Sequence, residues 1–270
     1  MDTLSALISH AEPKANLFFS GNLCGSSSST DHPAGGILHL VRTGEMLLFE
    51  EYGLTHRITE PTLIIYPKGK AHRLQPQTLD GCDVVCANLT FKDSPLYRAL
   101  PDAIVLPLNE LDNLSDTINM LFIEAFTSRF AQVAIISTLL DLLLLLVLRH
   151  LVENRICQEG VLSALSDHKL SKAIEIIHKQ IDYPWSIDEL ANKVGMSRAR
   201  FAALFNQTIG QPPLSYVTEA RLLLAKKLLL KGEPIKSVSL EVGYSGSVAF
   251  SRAFQRQFGI TPRAWYLKQH

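Results

Sequence analysis

The sequence has no net charge, since 26 Lys and Arg offset 26 Asp and Glu in 270 residues, and that excludes a chain drawn as a whole to nucleic acid or an anionic surface. No N-terminal leader is expected either. Met1 to Lys14 carries Asp2, His10 and Glu12 and has neither a basic start nor a long apolar run. Cysteine is sparse, and the four present (Cys24, Cys82, Cys86 and Cys157) are expected as reduced thiols in a cytoplasm rather than as a disulfide framework. No Ser/His/Asp or Cys/His nucleophile spacing stands out, and no aromatic-basic interleaving of an RNA-binding surface is present.

What the chain does have is unevenly placed. From His168 onward there are 15 Lys and Arg against 7 Asp and Glu, a net of +8, and before it 11 against 19, a net of −8. Only the C-terminal part is therefore suited to meet a polyanion. The same part contains a repeat. Ile187, Leu190, Val194 and Gly195 recur 48 residues later as Ile235, Val238, Val242 and Gly243, and Phe201, Phe205 and Gly210 recur after 49 as Phe250, Phe254 and Gly259.

Each copy reads as a helix-turn-helix. Ser186 with Glu189 is a capping box that opens a short helix, Gly195 turns the chain, and Ser197 caps a second helix. Phe201, Leu204 and Phe205 fall on the inner face of that helix, leaving Arg198, Ala199, Arg200, Ala202, Ala203 and Asn206 to reach a partner. In the second copy Pro234 starts the first helix and Gly243 makes the turn, so Phe250 and Phe254 face inward and Ser247, Val248, Ser251, Arg252 and Gln255 face outward. A connector from Leu214 to Leu230 joins the copies, with Lys226 and Lys227 as either phosphate contacts or a solvated charged face.

Val242-Gly243-Tyr244, Phe250-Ser251-Arg252-Ala253-Phe254 and Phe258-Gly259-Ile260-Thr261-Pro262 together resemble the signature of AraC/XylS-family transcriptional regulators. The resemblance implies a DNA-binding domain of two helix-turn-helix units on one long helix. The chain departs from the family's habit at Ser239, where Ala is usual, at Tyr266, where Arg is usual, and at Ala203 and Leu204, which replace commonly basic positions.

The N-terminal part alternates as short strands. Leu38 to Arg42 and Met46 to Phe49 read as a hairpin about Gly44 with a further turn at Gly53, Leu63 to Tyr66 and Asp83 to Leu89 read as strands, and the serine run in Gly25 to Thr30 reads as a flexible loop. Pro67-Lys68-Gly69-Lys70-Ala71-His72 resembles the second motif of cupins, the β-barrels that serve as sensors in this regulator family. In the first motif Asp31-His32-Pro33 stands where paired histidine ligands would lie, and Ile37 replaces the expected Glu. A helix from Ser115 to Thr127 precedes the apolar run Ala131 to Val147. Asp141 inside that run costs roughly 2.5–3.5 kcal/mol in lipid, so a membrane span is set aside. A helix apolar all round needs cover on two sides, and the second cover is expected from another copy of the chain, with Leu143 and Leu146 at the contact.

The expected fold is α+β and multidomain: a cupin-like sensor barrel over 1–107, a helical dimerisation pair over 108–152, a linker over 153–166, and an all-α DNA-binding domain of two helix-turn-helix units joined by a long helix over 167–270. The expected partners are double-stranded DNA at two adjacent major-groove segments, a second copy in a homodimer, RNA polymerase, and an effector sensed by the barrel, with no cofactor and no membrane. Cys24, His39, His72 and Cys86 are the candidate effector-pocket residues. They read as hydrogen-bonded barrel residues, as the lining of an organic-ligand pocket, or as a thiol or metal sensor. A metal-dependent cupin enzyme is the alternative from another class. It needs a His and carboxylate set with open positions, and only His72 sits at a recognisable ligand position.

Overall fold

The computed structural model describes residues 2–29, 35–51 and 53–269. The chain runs through α1 (Thr3–Ala11), β1 (Lys14–Leu23), β2 (Ser27–Ser29), β3 (Gly36–Thr43), β4 (Met46–Glu50), β5 (Gly53–Ile58), β6 (Thr62–Tyr66), β7 (His72–Pro76) and β8 (Cys82–Thr90). Helix α2 (Pro95–Ala99) and β9 (Ile104–Pro107) follow, then α3 (Ser115–Ala125), α4 (Gln132–Glu153) and α5 (Gly160–Leu165). The rest is helical: α6 (His168–Lys179), α7 (Ile187–Lys193), α8 (Arg198–Ile209), α9 (Pro213–Leu230), α10 (Ile235–Glu241), α11 (Ser247–Phe258) and α12 (Pro262–Leu267).

These elements form two units. The barrel unit comprises 11–93 and 100–157, and the helical unit comprises 1–10, 94–99 and 158–270.

In the barrel unit a five-stranded sheet ordered β1-β8-β3-β6-β9 faces a four-stranded sheet ordered β2-β7-β4-β5. Val41, Met46, Leu48, Ile58, Ile64, Tyr66, Leu74, Cys82, Val84 and Cys86 come from both sheets and pack into one core. Strands β3 and β4 are consecutive but do not pair: β3 pairs with β6 and β8, and β4 with β5 and β7. The expected hairpin about Gly44 is instead a corner between sheets, where a Cβ on Gly44 would lie 2.7 Å from the Gly81 carbonyl and the φ is +92°. The turn at Gly53 does join a pair, β4 with β5. The serine run is likewise not all loop, because Ser27–Ser29 pairs with His72–Leu74. Thr30, Asp31, His32 and Pro33 lie outside the described residues.

Helix α4 packs on β1 and its Asp141 accepts from Lys14 Nζ at 2.6 Å and from the Ala15 amide at 2.8 Å. The helix is long and apolar enough to cross a membrane by length and composition, and 44% of its most apolar 18-residue window is buried inside the protein. Leu143 faces inward, fully buried, and Leu146 is half-buried, so the outer positions are Val133, Ile135, Leu142 and Leu145. The 3.6-residue period decides this: 143, 147 and 151 share one stripe and 142 and 145 another.

The helical unit takes in more of the chain than 167–270. Residues 153–166 include α5, which buries Val161, Leu162 and Ala164 and packs on α2, α6 and α8, so this stretch is a linker only in part. Gly160 stands where a Cβ would meet Ala99 Cβ at 2.5 Å. Residues 1–10 also belong here and not to the barrel: Lys227 Nζ donates to the Ser9 carbonyl at 3.3 Å, and the His10 and His178 rings lie 5.9 Å apart. A second core gathers Leu222, Leu228, Val238, Val242, Phe250, Phe254 and Trp265 around the C-terminal half of α9.

Candidate functional site

The first helix-turn-helix is fastened by side-chain caps. Ser186 Oγ accepts from the Glu189 amide at 3.2 Å while Glu189 Oε2 accepts from the Ser186 amide at 2.9 Å, closing the capping box. Gly195 turns the chain at a φ of +65°, a conformation that costs a β-carbon residue steric energy, and Ser197 then caps α8 through the Arg200 amide. Phe201 and Phe205 are fully buried. On the other face Arg198, Ala199, Arg200, Ala203 and Asn206 are exposed and Ala202 is half-buried. Arg198 Nη1 is engaged with Asp188 Oδ2 at 3.1 Å.

The second unit repeats the fold with other means. Pro234 precedes α10, Gly243 turns at +80°, and α11 starts after Gly246 without a side-chain cap. Phe250 and Phe254 are fully buried, and the outer face presents Val248, Arg252 and Gln255 exposed with Ser247 and Ser251 half-buried beside them. Arg252 makes no ion pair or hydrogen bond among the described residues. Ser239, buried at a position where the family resemblance expects Ala, satisfies its hydroxyl on the Lys236 carbonyl at 2.8 Å. The two connector lysines are occupied within the unit: Lys226 Nζ sits 4.5 Å from the Phe258 ring centroid, and Lys227 reaches Ser9.

In the barrel unit three of the four candidate pocket residues meet. His39 Nδ1 lies 3.0 Å from Cys86 Sγ, across the β3–β8 register pair His39–Cys86, and His39 Nε2 lies 2.7 Å from His72 Nε2. His72 Nδ1 lies 2.8 Å from the Lys70 carbonyl. A carbonyl can only accept, so His72 Nδ1 donates there; in the neutral form of His72, Nε2 then accepts from His39 Nε2–H. That leaves His39 Nδ1 to accept from the Cys86 thiol. Burial, and then the nearness of His72, lowers His39 to about 3, and burial pushes Cys86 up to about 12. His39 and Cys86 are therefore neutral at ordinary pH. Tyr66 stacks on His72 at 4.1 Å between centroids and donates to Glu50, which also pairs with Lys70 Nζ at 2.5 Å. Cys24 is not part of this cluster; it is exposed, and its thiol donates to Asn22 Oδ1 at 2.9 Å. Among the described residues no group of three or more His, Cys, Asp or Glu is placed to hold a metal ion.

The pattern that defines the cupin family matches residues 2–153, more than half of the chain, and a helix-turn-helix domain pattern matches 190–267. The RCS-specific HTH-type transcriptional activator RclR of Escherichia coli is 27% identical over 97% of this chain and 96% of its own. The chain is a member of the AraC family of helix-turn-helix transcriptional regulators, with a cupin N-terminal domain. A second AraC-type relative, the regulator MtrA of Neisseria gonorrhoeae, is 29% identical over 84% of each chain. The crystal structure of an AraC-type regulator from Chromobacterium violaceum is 35% identical, covering 39% of this chain and 95% of that one at a TM-score of 0.37.

As an AraC-family regulator the protein binds double-stranded DNA. Sequence reasoning missed two features of the helical unit. Arg98 pairs with Glu219, 121 residues away, and Gln211 Nε2 donates to the other Glu219 oxygen at 2.8 Å. Arg221 spends its guanidinium on backbone carbonyls. Neither has a local sequence signal, because each contact joins segments that are distant along the chain.

Proposed function

We propose that the protein reads two adjacent major-groove segments of DNA, one with α8 and one with α11, and that the two contribute unequally. The observation that carries this reading is the outer face of α11, where the exposed Arg252, without a partner among the described residues, stands beside Ser247, Ser251 and Gln255. Such a guanidinium can donate twice to a guanine edge. On α8 the position that corresponds to Arg252 is Ala203, Arg198 is tied to Asp188, Arg200 stands exposed at the helix start, and the middle of the face is Ala199, Ala202 and Ala203, which suits thymine methyls and groove shape. The test is a duplex selected by the full chain from a random pool, followed by base-pair swaps under each half. A steeper loss of affinity under the α11 half is the expected result, and a steeper loss under the α8 half overturns the reading.

The working form is a cytoplasmic homodimer without catalytic activity, whose activating output passes to RNA polymerase. The dimer contact is the apolar outer face of Met120, Ile123, Val133, Leu142 and Leu145, all exposed on α3 and α4. The double substitution Leu142→Glu with Leu145→Glu should yield monomers in sedimentation; a stable dimer overturns this assignment. The signal enters the barrel as a small molecule, a metal or an oxidant. RclR, an RCS-specific activator by name, gives the thiol reading its support, and the exposed Cys24 is its accessible group. Operator binding by wild type, Cys24→Ser and Cys86→Ser before and after mild oxidant or zinc separates these signals. If wild type and both mutants respond alike, the thiol and metal readings fall and an organic effector stands.

A further inference from the structure

One side chain of the connector holds the two helix-turn-helix units to each other. Arg221, midway along α9, donates from Nε to the Ile181 carbonyl at 2.8 Å and from Nη2 to the Tyr183 carbonyl at 2.7 Å and the Asp182 carbonyl at 3.4 Å. From Nη1 it donates to the Gly243 carbonyl at 3.2 Å. Residues 181–183 are the chain that leads from α6 into the first unit, and Gly243 is the turn of the second. Three segments that are far apart in sequence therefore meet at one planar fork of donors, with the Tyr244 ring centroid 5.8 Å from its carbon.

The backbone has been brought close to make this possible. A Cβ on Gly243 would lie 2.6 Å from the Asp182 carbonyl oxygen and 2.7 Å from its Cα, so the second turn rests directly on the entry to the first unit. The equivalent glycine of the first unit, Gly195, has nothing within 4 Å of such an atom. The contact is made to carbonyls and to bare backbone, so it fixes position and not only proximity. An ammonium in place of the guanidinium cannot satisfy these four carbonyls on two chain segments in one plane.

We propose that Arg221 is the positioning residue that fixes the separation and phase of α8 and α11, and thereby sets the spacer length accepted between the two DNA half-elements. The proposal rests on the reading that both helices enter the major groove of one site. Successive grooves on one face of the duplex lie about 34 Å apart. One base pair more or less shifts the second half by about 3.4 Å and turns it by about 34°. A rigid joint rejects that shift and a loose one follows it.

The experiment uses the full chain and the duplex selected by wild type from a random pool, with versions that carry one base pair inserted or deleted between the halves. Wild type should lose about tenfold or more in affinity on either altered spacer, a loss of about 1.4 kcal/mol or more. Arg221→Gln and Arg221→Lys should both bind the selected duplex more weakly, and in both the ratio between selected and altered spacers should shrink severalfold. A merely destabilised variant would lower affinity for all duplexes by one factor and leave the ratio unchanged, and that outcome overturns the proposal. Restoration of the wild-type ratio by Arg221→Lys overturns it too, since charge alone would then explain the effect. So does unfolding of both variants at the assay temperature, which would make Arg221 a folding residue. If wild type itself shows no spacer penalty, the two-helix reading falls, and this separates failure of that reading from failure of the joint.

Discussion

The two helix-turn-helix units share a fold and differ in what holds it. In the first, polar side chains at helix starts do the fastening, through Ser186 with Glu189 and through Ser197. In the second, α10 and α11 have no side-chain caps, and the turn is held by close backbone approach to residue 182 and by Arg221. Local caps make a unit that folds on its own account, whereas contact with a neighbouring segment makes one that depends on what surrounds it. The difference extends to the outer faces: in the first unit Arg198 pairs with Asp188 while Arg200 is exposed at the helix start, and in the second Arg252 has no partner among the described residues.

The sharpest way to break the comparison is at the turn glycines. Gly195→Ala meets open space and should cost only the left-handed conformation, about 1–2 kcal/mol. Gly243→Ala adds a backbone collision and should cost well beyond that, read as the larger drop in the melting temperature of the helical unit. Equal drops would erase the distinction. Next comes readout. Arg252→Ala should lose about 1–3 kcal/mol of binding to a selected duplex and relax the base preference beneath it, while Arg198→Ala should change affinity less. Competition titrations with single base-pair variants measure both.

Acid should then find the first unit before the second. His178 is buried against Tyr216, its Nε2 2.9 Å from the phenol oxygen, and burial, with a smaller effect of His10, lowers it to about 4. The unfolded chain takes up this proton near pH 6.5 and the folded chain does not, so the stability present above 6.5 declines as pH falls from 6.5 toward 4. One such proton accounts for up to about 1.4 kcal/mol per pH unit. Residues 182–269 contain no histidine, so amide exchange at pH 5 should quicken in α6 to α8 ahead of α10 and α11, and His178→Phe should remove the difference. The smallest effect is the cap: Ser197→Ala should cost about 1 kcal/mol, visible as fraying of the first turn of α8 in amide exchange.

The helical unit was legible because its information is local and stated twice. Glycine at the turns, phenylalanine at a spacing of four and a serine before each helix of the first copy need no distant partner to be read. The barrel was legible in its strands but not in their pairing. Alternation announces β3 and β4, yet only the packed sheets decide that Leu38 to Val41 pairs with β6 and β8 while Met46 starts the other sheet. The same limit explains the site. His39, His72 and Cys86 alternate onto inward faces and meet as that pattern suggests, whereas Cys24 lies close to the serine run and stays outside. The contacts of Lys226 with Phe258 and Trp265 and of Lys227 with the Ser9 carbonyl were not legible, because a sequence does not show which distant groups lie beside a helix.

The pair formed by Arg98 and Glu219 gives the protein a history as well as a shape. Helix α2 lies between two barrel strands in the chain, and its arginine is synthesised 121 residues before the carboxylate it serves. At about 5–20 residues per second, that is a wait on the order of ten seconds on the ribosome. During it Arg98 has yet to meet Glu219. A gene fragment that starts at residue 158 never supplies the missing arginine, and leaves Glu219 to Gln211 alone. The readable DNA-binding repeat therefore lacks one side chain that Glu219 meets in the full chain.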